Sequence, residues 1–125
     1  MLFRSPAKNY GDASFNLTAP TSNSSGAFTY TSSAPSVATV TTGGTVTIVG
    51  AGTTTITATQ AATTNYTTGS VTASLVVSAI APTIGTLTAP AKNFGDASFN
   101  LTAPTSNSSG AFTYTSSAPS VATVT

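Results

Sequence analysis

The sequence predicts an all-β fold: a sandwich of about seven short antiparallel strands, followed by a truncated second copy of itself. Apolar residues alternate with Thr or Ser at period two, which turns one face of each segment toward a core and leaves hydroxyls in water. Helix is disfavoured, because β-branched Thr and Val dominate every periodic run and no helical period is present. Pro6 to Thr41 returns at Pro90 to Thr125 with one change, Tyr10 to Phe94, an offset of 84 residues. That period is longer than a stacking solenoid unit, typically about 20 to 50 residues, and describes one small domain in tandem.

The elements follow in order. Ser14 to Thr18 turns Phe15 and Leu17 inward, Ala27 to Thr31 turns Phe28 and Tyr30 inward, and Val37 to Val40 is a short third run. Thr42-Gly43-Gly44 is a hairpin signal, since glycine supplies the positive φ of a tight turn. Val46 and Ile48 come next, then a Gly50-Ala51-Gly52 turn, then Thr54, Ile56 and Ala58. A loop around Asn65 leads to Val71, Ala73, Leu75 and Val77. With an initial strand at the position of Ile84 to Thr88, one unit holds about seven strands, the profile of a sandwich. The expected boundaries are a complete repeat over 1–84, with its strand core to about 79 and a linker over 79–84, and the N-terminal half of a second repeat over 85–125. Pro82 makes that linker an extended, fairly stiff joint.

Composition excludes several functions. Arg4, Lys8 and Lys92 are the positive residues and Asp12 and Asp96 the negative ones, 4% of the chain and a net charge of +1. Such a chain has no basic footprint for phosphate, so nucleic acid is not an expected partner. Ser and Thr, more than a third of the residues, carry solubility instead, and the surface they make is nearly indifferent to salt. Without Cys there is no disulfide or thiolate metal site to staple so small a unit. Met1-Leu2-Phe3-Arg4-Ser5 is too short for a signal peptide and no apolar run approaches a membrane span, so membrane insertion is not expected. Met1 is expected to be a start inside a longer repeat array, and Thr125, the counterpart of Thr41, to stop before the strands that complete the unit.

Ser36-Val37-Ala38-Thr39-Val40, followed by Gly43 to Ala58 with Gly50-Ala51-Gly52 and Ile56, resembles the core signature of bacterial immunoglobulin-like (Big) domains. The resemblance covers the whole first copy and the second as far as Thr125, and Tyr10-Gly11-Asp12 resembles the start of another bacterial surface sandwich repeat. It implies an immunoglobulin-like sandwich, and tandem modules of adhesins, large surface proteins or phage virion and tail proteins. In such proteins modules are spacers more often than binders.

Catalysis lacks its parts. There is no His, Cys or Glu, so Ser-His-Asp, Cys-His and paired-carboxylate schemes cannot be assembled within a unit, and no catalytic, cofactor-binding or metal-ligating residue is expected. Asp12 and Asp96 read as turn caps rather than catalytic acids, and one carboxylate per unit falls short of the six to eight oxygens of a Ca²⁺ site. An amide crosslink from Lys8 or Lys92 needs a buried carboxylate, whereas Asp12 and Asp96, four residues from the lysines, suggest solvated turns. Gln60, the candidate for a Thr ester, more simply ends a strand. Thr45 and Thr47, with Thr53, Thr55, Thr57 and Thr59, would present hydroxyl rows on neighbouring strands, but sheet twist opposes the flat lattice that ice binding needs. The Asn-x-Ser/Thr matches at Asn16, Asn23, Asn65, Asn100 and Asn107 arise readily by chance in so Ser/Thr-rich a chain.

The expected function is that of a non-enzymatic structural spacer, extracellular, on a cell surface or virion, with neighbouring repeats of the same chain as its partners. The alternative is a module that binds cell-surface carbohydrate or a host protein through end-loop aromatics, for which exposed Tyr10 or Phe94 and Tyr66 would speak. Strand exchange through 85–125 is a further expectation, because the strands that should cover Phe99, Leu101, Phe112, Tyr114, Val121 and Val124 do not follow them.

Overall fold

The computed structural model describes residues 4–125, and the chain divides into two compact units, Met1–Ile80 and Ala81–Thr125. The first unit is a two-sheet all-β structure built from β1 (Lys8–Asn9), β2 (Phe15–Asn16), β3 (Phe28–Ser32), β4 (Ala38–Val40), β5 (Thr45–Ile48), β6 (Gly52–Gln60) and β7 (Gly69–Ser78). One sheet has the order β1-β7-β6-β3 and the other β2-β5-β4. Among the described residues there is no helix, as the run of β-branched side chains requires.

The alternation behaves as the sequence predicts. Tyr30, Val37, Ala38, Val46, Ile56, Ala58, Leu75 and Val77 form the buried core, with Phe15, Leu17, Phe28, Val40 and Ile48 packed against it. Burying a Val, Leu or Ile side chain contributes roughly 1.5 to 3 kcal/mol, so Ile56, Leu75, Val46 and Val77 carry much of the unit. Val71, on the same face of β7 as Ala73 and Leu75, remains exposed because it lies at the strand's open end.

Thr54 is the one buried polar residue of the described chain, and its hydroxyl is fully engaged. Oγ1 accepts from the Ala34 amide at 3.0 Å and shares a hydrogen bond with Ser32 Oγ at 2.8 Å. Ser32 Oγ in turn donates to the Ala38 carbonyl at 2.7 Å, so this small network ties β6 to the β3–β4 connection. Gly44 makes the β4–β5 hairpin: its φ is +94°, and a Cβ there would lie 3.1 Å from Tyr30 Cε2, so both its freedom and its small size are used. Its carbonyl accepts from the Leu17 amide at 2.8 Å, which carries the ladder beyond β2.

Two elements depart from the sequence expectation. Among the described residues the first strand is Lys8–Asn9, and it pairs parallel with β7, Lys8 beside Val77 and Asn9 beside Ser78, rather than antiparallel. No turn joins β1 to β7, so nothing local imposes antiparallel geometry. The expected initial strand falls on residues 1–4 of the first copy, and residues 1–3 lie outside those described. In the second copy Ile84 makes only an isolated bridge, to Ser106.

The second unit forms no strand among its described residues, although 90–125 repeats 6–41. Its short-range structure is nonetheless a copy. The Asn93 amide donates to Asp96 Oδ2 at 2.8 Å as the Asn9 amide does to Asp12, Gly95 has φ +93° against +91° at Gly11, and the Val121 amide reaches the Ala118 carbonyl at 2.9 Å as Val37 reaches Ala34. It forms none of the ladders that 6–41 makes in the first unit. Val37 is 8% exposed and its counterpart Val121 85%.

Ile56→Ala should destabilise the first unit by about 2 to 5 kcal/mol, whereas Thr55→Ala, on the outer face of the same strand, should cost less than about 0.5 kcal/mol. Denaturant melts of the two variants check this, and equal losses would contradict the observed register. Thr54→Val keeps the shape but removes the shared acceptor, and should cost about 1 to 3 kcal/mol in the same measurement.

Candidate functional site

The side chains with chemical potential do not converge. In each copy the aspartate closes a turn: the Asn9 amide donates to Asp12 Oδ2 at 2.8 Å, the Asp12 amide donates back to the Asn9 carbonyl at 3.1 Å, and Asn93 and Asp96 repeat both bonds. These are exposed turns, and neither carboxylate is buried. The lysines turn elsewhere. Lys8 Nζ stands 4.5 Å from the centre of the Phe15 ring and Lys92 Nζ 5.0 Å from that of Phe99, a cation–π contact that also covers the aromatic. Among the described residues no three metal-ligating side chains of the His, Cys, Asp or Glu kind come together.

Gln60 does more than end its strand. Its Oε1 accepts from Ser22 Oγ at 2.6 Å, and its Nε2 donates to the carbonyls of Ser24 at 3.0 Å and Gly26 at 2.8 Å. Both ends of the amide are therefore occupied in holding the 22–26 loop onto the end of β6. Gly26 allows that approach, because a Cβ there would collide with the Ala61 carbonyl. The signal in the sequence was faint: one Gln at a strand end, whose partners lie 34 to 38 residues away.

The hydroxyl rows are arranged differently from the sequence expectation. β5 and β6 lie in different sheets, so Thr45 and Thr47 are not neighbours of the β6 threonines. The β6 row instead continues sideways within its own sheet: Thr59 between Thr29 and Ser70, and Thr57 between Thr31 and Thr72. Adjacent strands in a sheet rotate by roughly 20 to 25°, so these hydroxyls fan out rather than forming a plane.

The aromatics weighed as a binding surface are exposed: Tyr10 52%, Tyr66 44% and Phe94 109%. Tyr10 and Tyr66, however, belong to opposite ends of the first unit. The Tyr10 amide donates to the Ser78 carbonyl at the end of β7, while Tyr66 sits in the loop between Gln60 and Gly69, where β7 begins. Ten residues of strand separate those ends by about 30 Å, so the two rings cannot stack on one small ligand. In the second unit, Leu87, Phe99, Leu101, Tyr114, Val121 and Val124 are among the residues lining an open concavity of about 990 Å³. The counterparts of Phe99, Tyr114 and Val124, which are Phe15, Tyr30 and Val40, pair with β5 or β6 in the first unit.

Neither a curated protein nor a solved structure matches the chain. Residues 16–62 fit the family model of the intimin immunoglobulin-like domain. The matched residues run from the second half of β2 to just beyond β6, and so include the β4–β5 hairpin and the Thr54 network. The stretch that carries β3 through β6 is thus similar to an immunoglobulin-like domain of the bacterial, intimin type.

Proposed function

We propose that this chain is a non-enzymatic, extracellular spacer segment, in which residues 1–84 are a complete immunoglobulin-like repeat and 85–125 the first half of the next. Its role is to hold a binding or anchoring domain away from a bacterial surface or a virion, with neighbouring repeats as its partners. One observation carries the reading: β1 and β7 run parallel, so the chain leaves the first unit in the direction in which it entered. Antiparallel terminal strands would double the chain back on itself. Parallel ones let successive units extend in line. The intimin-type match supports a bacterial surface protein of the adhesin kind. The hydroxyl-rich, nearly uncharged composition supports a surface that neither attracts nor repels strongly as salt varies.

A second reading, recognition of carbohydrate or of a host surface, is favoured by the exposure of Tyr10 and Tyr66. Each ring offers one face to a sugar, and the distance between them limits the contact to one aromatic at a time.

Pulling the chain by its ends loads the β1–β7 pair in shear along the strand axes. In a single-molecule extension experiment the first unit should open in one step of roughly 240 Å, set by its near-80 residues at about 3.5 Å each less the folded length. Gradual extension without a step would remove the spacer reading. Glycan-panel binding that disappears in Tyr10→Ala or Tyr66→Ala would replace it with the second.

A further inference from the structure

Every strand contributed by residues 6–41 pairs with β5, β6 or β7, and 35 of those 36 residues recur at 90–125. The single difference, Tyr10 against Phe94, falls where the first unit is exposed and asks nothing of the core. We propose that β5–β7 form an acceptor surface for either copy: residues 90–125 displace 6–41 within the same chain and rebuild the sandwich in circularly permuted order. This inference is independent of the spacer reading.

The topology allows the exchange. β1 and β3 are the edges of one sheet and β2 and β4 the edges of the other, so all four can leave while the β6–β7 ladder stays whole. The incoming register is set by identity: Lys92 takes the place of Lys8 beside Val77, Phe99 that of Phe15 beside Val46, and Ala122 that of Ala38 beside Ile48. Thr125 brings the hydroxyl by which Thr41 receives the Thr45 amide. The residues between Ser78 and Lys92 number thirteen and can span about 40 Å, whereas the step to a neighbouring strand is about 4.8 Å.

The two arrangements are close in free energy. Core contacts are the same in both, Val121 and Phe99 becoming buried as Val37 and Phe15 are released. Replacing the four-residue connection 41–44 by one of thirteen residues favours the observed arrangement about sixfold, by the three-halves power of loop length. The hydrogen bond from Ser5 Oγ to the Ser74 carbonyl favours it further, since the residue corresponding to Ser5 is Ala89. A second copy is the weaker acceptor. Exchange between chains releases one set of edge strands for each set it seats and adds the cost of association, while an acceptor on the same chain is present at an effective concentration in the millimolar range.

The test uses Val37→Asp, Val121→Asp and the double variant, each in the full chain, followed by denaturant melts. Val37→Asp places an unpaired carboxylate in the core if 6–41 is the sole occupant. Under exchange it retains a cooperative β-sheet transition, with its folding equilibrium lowered about sixfold to a few tens-fold, while the double variant loses the transition and Val121→Asp keeps that of the parent chain. Val37→Asp as unfolded as the double variant, or the double variant as stable as Val37→Asp, overturns the proposal. A crosslinking readout is independent of stability. Thr31 lies opposite Thr57, so Thr57→Cys with Thr115→Cys should be joined within one chain by a short bifunctional thiol reagent. The yield should rise about sixfold to a few tens-fold on adding Val37→Asp and exceed that of the out-of-register pair Thr57→Cys with Thr105→Cys. Joined dimers without joined monomers, or equal yields in the two pairs, overturn the in-chain exchange.

Discussion

The fold depends on a division of labour along the chain: residues 8–40 supply the four edge strands and residues 45–78 the three central ones. No ladder joins two of the first four strands to each other. Each edge strand therefore finds its ladder partner only among residues that come later. This makes the first unit cooperative, since losing the centre removes every ladder at once. It also places the open edges on strands as short as two residues, β1 and β2, which limits their use as templates for aggregation.

The repeated segment acts as an internal control on what is local and what is tertiary in this fold. Where a hydrogen bond spans two to four residues, both copies have it: the Asn-Asp turn, the Ser22 and Ser106 turns, and the Ala34 and Ala118 carbonyl turns. The ladders that 6–41 makes with β5, β6 and β7 have no counterpart in 90–125, whose longer-range bonds run instead from Thr83 and Gly85. Identical sequence thus yields a strand at Phe28–Ser32 and none at 112–116. Strand formation here is a property of the pairing partner and the packed face more than of intrinsic preference.

Much of the first unit was legible because its longer strands alternate strictly and its turns are marked by glycine. Phe28 to Ser32, Thr45 to Ile48, the inward set Thr54, Ile56 and Ala58, and the hairpin at Gly44 follow from period and turn chemistry alone. β1 was not legible: two residues beside a turn carry no alternation, and their partner lies 69 positions away. The clamp made by Gln60 was read as a strand end for the same reason, since nothing near it in sequence announces the 22–26 loop. The hydroxyl rows were assigned to adjacent strands because β5 and β6 are adjacent in sequence, whereas the chain crosses between sheets at Gly50 to Gly52. Gly52, at φ +143° with its missing Cβ only 2.9 Å from Val37, makes that crossing possible.

The edge-before-centre order has a consequence for a chain that emerges from its N-terminal end, whether from a ribosome or through an export pore. Until Thr45 and the residues after it are free, the segment already outside has turns but no partner with which to form a ladder. It stays threadable for as long as its centre is still inside. Completion of β7 then finishes the β1-β7-β6-β3 sheet, and the last strand to emerge also locks the first one in place.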